Sequence, residues 1–405
     1  MQLAWLAAAV LVVSTGYGAL IPLLPTWLAL ARPEASTNDV ARHVGFITGV
    51  YALGVLLGAP WWGWVSDRFG RVPILITGLV GYVASLLMLL APPLAGLPGL
   101  YALRGATGFF VAAVIPVVSA LIAERTPPSL RARRFAWLGA VSLIGFLLGP
   151  WLIVVADWLS AGAFSTLPSI HVVVLLSALL GAMTIAGQIW TLPKAGERAA
   201  TASSDGLGDK AEGFAALCGL TTLVMFALAG FEVGIMLQGQ QHADLSARQV
   251  SMMFAQCSLV MLGVNAVLFF SDLLDRTAPR RLIGAGLLLA ITGLAVLSWH
   301  RAEAWMYLGV SLTSAGTGLV LPVIAYVAAG AERERLGVTM GGLAAASSVG
   351  QILGSAAGGW MFGVAAQHSY GWLTVPLVAI LGLVLARPAW WAEPGSPRPH
   401  HHNPV

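Results

Sequence analysis

Apolar runs about 20 residues long, the length that crosses a bilayer as a helix, follow one another along this chain with short polar turns between them. Twelve stand out, at about 3–24, 44–65, 73–91, 98–122, 134–156 and 169–191, then 213–237, 249–270, 281–299, 304–328, 337–362 and 369–387. The pattern predicts an all-α polytopic membrane protein. One gap differs from the rest. Pro193 to Glu212 is polar, contains Gly and Ser, and carries Lys194, Arg198, Asp205, Asp209 and Lys210, which is the composition of a flexible linker. The expected layout is a six-helix bundle over 1–192, a cytoplasmic linker over 193–212, a second bundle over 213–388 and a disordered tail over 389–405.

Composition supports the membrane reading. The chain is 58% hydrophobic and 9% charged, against roughly 25% charged in a soluble domain. Cys218 and Cys257 lie in separate apolar runs and suggest neither a disulfide framework nor a zinc site. The first run lacks a basic flank and a small-residue cleavage site, so it reads as a retained helix. His400, His401 and His402 invite a metal reading, but a Pro-rich tail without an apolar face is expected simply to be solvated. No metal and no cofactor are expected.

The net charge of +4 does not point to nucleic acid, because the basic residues divide by membrane side. With the turn around Asp67 inside, the inner loops and tail hold sixteen Arg and Lys and the outer loops four. The positive-inside rule then puts both termini in the cytoplasm, and the expected location is a bacterial inner membrane.

The two halves repeat. Asp67-Arg68 is echoed by Asp275-Arg276, Pro116 by Pro322, Glu124-Arg125 by Glu332-Arg333, and Gly145-x-x-x-Gly149 by Gly350-x-x-x-Gly354, always at an offset of 205 to 208 residues. Two parallel six-helix repeats about an axis normal to the membrane describe a transporter, with its site between the halves near mid-membrane.

The turn Gly63-Trp-Val-Ser-Asp67-Arg68-Phe-Gly70-Arg71 resembles the loop between helices 2 and 3 of the major facilitator superfamily, although Val72 stands where a final basic residue is usual. The resemblance covers residues 1 to about 390 and implies that Gly63, Asp67, Arg68, Gly70 and Arg71, with Asp275 and Arg276, gate the cytoplasmic side. Asp67 would face the N-terminal end of the eleventh span near Leu336 to Met340; the alternative is that these residues only fix topology. Arg104, in Arg104-Gly-Ala-Thr-Gly108, resembles the fourth-helix motif linked to proton movement, although it can also snorkel to the outer surface. Gly145-Phe-Leu-Leu-Gly149-Pro150 resembles the fifth-helix motif of proton-coupled exporters, with Ile153 and Val154 in place of a second Gly pair; ordinary helix packing is the other reading. Pro22-Leu-Leu-Pro25 is similar to the pattern in twelve-helix drug:proton antiporters.

Glu232 is a carboxylate well inside the seventh span, level with Pro25 by the repeat offset. A carboxylate in a low-dielectric site suits a reversible proton carrier or a partner for a cation; the alternative is a Glu near the outer interface bonded to Gln238 or Gln240. Asp157, beside Trp158 near the outer end of the fifth span, divides between interface and proton coupling. Tyr17, Trp27, Phe231, Gln256, Asn265 and Tyr326 are expected to furnish polar and aromatic contacts to substrate. Most Trp residues, including Trp61, Trp62, Trp64, Trp158 and Trp299, read as interface anchors.

The expected function is proton-coupled export of a small amphipathic organic molecule by alternating access, with the protein acting as a monomer among membrane lipid. Proton-linked import of a metabolite or siderophore is the alternative, since the fold does not set direction. The sequence contains no H-E-x-x-H, P-loop or G-x-S-x-G, so no enzyme is expected. Tetracycline pumps usually carry carboxylates in helices 1, 3 and 9; this chain has none there, which argues against a metal–tetracycline substrate.

Overall fold

The computed structural model describes residues 2–91, 96–126, 128–162, 166–191, 211–241, 247–271, 273–300, 302–331 and 336–386. The expected linker and tail lie outside the described residues, apart from the last two linker positions, which open a helix. The first repeat runs α1 (Gln2–Leu20), α2 (Leu24–Ala31), α3 (Thr37–Phe69), α4 (Arg71–Met88), α5 (Leu97–Arg125), α6 (Pro128–Ala161) and α7 (Ser169–Thr191). The second runs α8 (Ala211–Gln241), α9 (Ala247–Phe270), α10 (Leu273–Arg276), α11 (Pro279–Trp299), α12 (Glu303–Ala331), α13 (Leu336–Ala365) and α14 (Ser369–Ala386). Twelve of these helices have 18 residues or more, and among the described residues there is no strand. All twelve lie in stretches long and apolar enough to cross a membrane, with α13 and α14 together in one stretch, Gly341–Ala386. The chain is a multi-pass membrane protein.

Element ends follow local chemistry more than hydrophobicity. The second span, expected at 44–65, starts seven residues earlier because the Ser36 hydroxyl accepts the Asp39 backbone N–H at 3.2 Å and caps α3. It stops at Gly70, whose φ of +96° is open to glycine and costly to other residues. The first span is broken at 21–23, where Pro22 and Pro25 remove backbone donors, and resumes as α2. α13 and α14 are separated by a 3-10 turn, Ala366–His368, that begins with Ala366 at φ +51°.

The helices pair in the same way in each half. In the first, α1 packs on α6 and α7, α3 on α5, and α4 on α5 and α7. In the second, α8 packs on α13 and α14, α9 on α12, and α11 on α12 and α14. The echoed glycines make equivalent contacts. A Cβ on Gly145 would stand 2.6 Å from the Leu11 carbonyl of α1, and one on Gly350 would stand 2.2 Å from the Thr222 carbonyl of α8. With no side chain between them, the backbones approach closely, as membrane helices do at small residues. The fold is two pseudo-symmetric six-helix bundles.

Between bundles the contacts are also symmetric, α3 with α13 and α6 with α9. Those of α3 with α13 hold at one end. A Cβ on Gly45 would come within 2.8 Å of Gly359 Cα, and one on Gly49 within 3.3 Å of the Ile352 carbonyl. Further along the same face of α3, Leu53, Pro60 and Asp67 are exposed, and Gly63 has nothing within 4 Å of where a Cβ would be. The facing surface of α13 behaves alike: Ser355 and Gly359 are buried, Ala345 and Gly341 exposed. The bundles meet beside the start of α3 and part toward the Asp67 turn.

Candidate functional site

Where α3 and α13 part, polar and aromatic side chains from both bundles converge. Tyr17 of α1 is at the centre. Its ring lies 4.9 Å from Tyr51 of α3 and 5.9 Å from Phe146 of α6, and Phe146 reaches Phe254 of α9 at 6.3 Å. Its hydroxyl accepts a hydrogen bond from Gln351 Nε2 of α13 at 2.8 Å. Glu232 and Arg104 both lie within electrostatic reach of that hydroxyl. Two residues expected to serve proton coupling, on opposite bundles, are thus brought to one tyrosine expected to serve substrate.

Arg104 is 1% exposed and does not snorkel. Its guanidinium sits over the Tyr51 ring, 4.7 Å from the centroid, and none of its three nitrogens finds an acceptor among the described residues. Tyr17, Tyr51, Tyr82, Thr107 and Val13 close around it so tightly that no water fits between them. The π face of Tyr51 takes up part of the charge, an attraction of about 2 kcal/mol where water is excluded. Tyr82 enters the cage because residue 16 is glycine: a Cβ there would fall 1.8 Å from the Tyr82 hydroxyl.

Glu232 of α8 is half-buried and makes no hydrogen bond or ion pair among the described residues. It does not bond Gln238, which is buried with both side-chain polar atoms unpaired. Its electrostatic neighbours include Tyr17 of the opposite bundle and Cys257 of α9. An acid so placed can take a proton from, or release one to, water entering between the bundles, and it presents an unpaired acceptor to a cation.

The other expected residues are distributed more widely. Phe231 is fully buried and Trp27 is 5% exposed, both in the packed core. Gln256 donates from Nε2 to Ser311 Oγ at 2.6 Å and to the Tyr307 carbonyl, tying α9 to α12. Asn265 donates to the Met261 carbonyl of its own helix, and Tyr326 is 45% exposed. Asp157 is exposed, beside Trp158 at 75% exposure, and does not join the cluster. Gly145, Gly149 and Pro150 are buried, with the two glycines set against α1. Trp62 is not an interface anchor: it is buried and donates Nε1 to the Phe109 carbonyl at 2.8 Å, while Trp61, Trp64, Trp158 and Trp299 are exposed. Sequence reading missed Tyr51, Tyr82 and Gln351. Only the glycines beside them, at positions 16, 49 and 350, hinted at close packing there.

At the open end, Asp67 pairs with Arg71 Nη2 at 2.6 Å, Arg71 Nη1 donates to Ser66 Oγ, and Arg68 lies over Trp64. Asp67 is spent within its own turn here. Arg276 is exposed on α10; the side chain of Asp275 and those of Leu336 to Met340 lie outside the described residues.

A family model described as the Major Facilitator Superfamily matches residues 6–267 and 214–404. The class D tetracycline resistance protein of Salmonella ordonez is 27% identical over 383 residues, 92% of each chain. The class B tetracycline resistance protein of Escherichia coli is 37% identical over 172 residues, 42% of this chain but only 38% of that protein's length. Among solved structures, an autoinhibited peptide transporter of the POT family superposes with a TM-score of 0.77 at 14% identity, covering 98% of this chain and 99% of that one.

Proposed function

We propose that this chain, which belongs to the Major Facilitator Superfamily, exports a small amphipathic organic molecule in exchange for protons, working as a monomer in the bacterial inner membrane with both termini cytoplasmic. The carrying observation is Glu232: half-buried, without a hydrogen bond or ion pair among the described residues, and within electrostatic reach of Tyr17 on the opposite bundle. In the conformer described, open toward the arginine-rich loops, the carboxyl loses its proton inward and accepts substrate. After the bundles rock, it is reprotonated from outside and releases substrate there. Arg104, held away from the cleft by Tyr51, supports this exchange with fixed positive charge and does not itself meet substrate.

The cleft face of the site therefore offers a carboxylate, the rings of Tyr17, Phe146 and Phe254, and one amide. That chemistry fits an aromatic molecule bearing a basic nitrogen. The relatives that confer tetracycline resistance suggest tetracyclines as members of this class. α1, α4 and α11 contain no Asp or Glu, so a metal complex of tetracycline would have no additional anionic ligand there.

The test is purified protein in liposomes carrying an imposed pH gradient, with tetracycline and ethidium as probes. Uptake driven by the gradient is expected for wild type, with at least tenfold loss of the gradient response in Glu232→Gln while exchange at equal pH persists. Flux indifferent to the gradient, or full coupling in Glu232→Gln, overturns the reading.

A further inference from the structure

Three buried polar side chains lie at one corner of the second bundle with bonding capacity left over. Gln238 of α8 is 1% exposed, and both its Oε1 and its Nε2 are unpaired among the described residues. Tyr370, near the start of α14, is fully buried, and its hydroxyl is unpaired among the described residues too. Gln367 is in the 3-10 turn between α13 and α14. It donates from Nε2 to the Leu297 and His300 carbonyls at the end of α11, and its buried Oε1 is left without a partner there.

The fold sets these groups near one another. α8 packs on α14 and on the 3-10 turn, and α11 packs on both as well. The Tyr370 hydroxyl lies 2.8 Å from where a Cβ on Gly234 would stand. Gln238 is one helical turn past Gly234, about 6 Å along α8 toward the closed end of the cleft. Gln367 and Tyr370 are themselves one turn apart. Yet none of the three bonds another. The gaps between them are too wide for a direct hydrogen bond.

The pattern of donors and acceptors selects what bridges such gaps. Gln238 Nε2 must donate, Gln238 Oε1 and Gln367 Oε1 must accept, and the Tyr370 hydroxyl does either. A metal cation would satisfy the oxygens and be repelled by the amide N–H groups. An anion would satisfy Nε2 and be repelled by two carbonyl oxygens. Water both donates and accepts, and an internal water makes about three bonds to groups otherwise unpaired. Inside a membrane-spanning bundle bulk solvent cannot substitute, so these groups must be satisfied from within.

We propose that Gln238, Gln367 and Tyr370 form a binding site for internal water that fastens α8 to the corner between α13 and α14. The chain reverses at this corner through Ala366 at φ +51°, a conformation that surrounding contacts must hold in a residue other than glycine. Gln367 anchors one side of the turn to α11, and the water anchors the other side to α8. Within one turn before the corner, Gly363 of α13 meets Asn38 of α3 in the opposite bundle. Water here therefore keeps the closed end of the second bundle in one piece when the two bundles separate. The site depends on neither Glu232 nor the direction of transport.

The test uses the full-length protein in detergent. Gln238→Met keeps the length of the side chain and removes its amide; Tyr370→Phe removes only the hydroxyl. Each should lower the melting temperature by about 3 °C, the shift for one lost hydrogen bond in a bundle of this size. The double variant should melt no lower than the worse single, because both act through one water. Melting that is unchanged or raised in either single variant means that its polar atoms were dry and overturns the proposal, as do losses that add. Radiolytic hydroxyl labelling reads the water directly, since a bound water oxidises the side chain beside it. In wild type, Tyr370 should be modified about fivefold faster than Tyr82, which is equally buried but caged where no water fits. In Gln238→Met it should drop to the Tyr82 rate. Equal rates in wild type overturn the site even if a variant fails to fold. Replacing sodium with choline should leave wild-type melting unchanged; a stabilisation by sodium that Gln238→Met abolishes makes the occupant a cation and overturns the water.

Discussion

The cost of placing charge in hydrocarbon explains why the site residues are built as they are. Among the described residues no acid pairs with the nitrogens of Arg104, so its burial is supported by the Tyr51 ring and by surrounding tyrosine dipoles. Replacing Tyr51 with Leu should therefore lower the stability of detergent-solubilised protein by about 2 kcal/mol, read as a fall in melting temperature. Arg104→Gln in the Tyr51→Leu background should recover part of that loss, because the uncompensated charge goes with it. No recovery would mean that Tyr51 acts through packing alone. Glu232 was legible from sequence because a carboxylate inside an apolar run is costly and conspicuous. Its neighbours were not: Gln351 and Tyr17 are 334 residues apart, and a tyrosine or glutamine in a span is unremarkable until a fold sets it opposite something. Trp62 shows the same limit. Adjacent tryptophans read alike as anchors, yet one faces outward and the other donates to a carbonyl of α5.

At the level of elements, one sequence signal proved to encode one contact twice. Gly145-x-x-x-Gly149 and Gly350-x-x-x-Gly354 seat α6 on α1 and α13 on α8, which is why the repeat was readable from spacing. The boundaries were less so, because hydropathy cannot register that α3 is extended by the Ser36 cap or that α1 breaks at 21–23. Intra- and inter-bundle glycines should respond differently to enlargement. Gly350→Leu sits inside a bundle and should lower the melting temperature. Gly359→Leu would put a Cβ 2.6 Å from the Ala41 carbonyl and 2.7 Å from Gly45 Cα across the bundle boundary; it should leave each bundle folded and force the closed end apart, abolishing transport with little change in melting. Equal destabilisation by the two would show that the boundary is as rigid as a bundle interior. Asp67→Asn provides the complementary case at the open end. Asp67 is exposed and pairs with a partly buried Arg71 four residues on along the chain, so the pair contributes about 1 kcal/mol or less here, and melting should scarcely move. If Asp67 closes the cytoplasmic gate in the opposite conformer, gradient-driven transport should nevertheless fall about tenfold. Transport that survives unchanged would leave the turn with a purely topological role.

Taken whole, the molecule has a hinge line and two arms. The packing between α3 and α13 near Gly45 and Gly359 and the exposure of the same faces near Gly63 and Gly341 cannot both be changed by bending one helix, since each helix is fixed along its length to partners in its own bundle. The arms must therefore move as bodies: opening at one end closes the other. This makes a coupling between distant positions measurable. Cysteines at Gly63 and Gly341 have open space around them in the conformer described and should cross-link poorly through a short bifunctional maleimide. Adding Gly359→Leu, far along the same helix pair, should raise that cross-link several-fold as the arginine-rich ends come together. A yield that stays low while the outer end is shown by spin labels to have opened would mean that the helices flex individually. Rigid-body exchange about the Tyr17–Gln351 apex would then be the wrong description of how this protein exposes Glu232 to each side in turn.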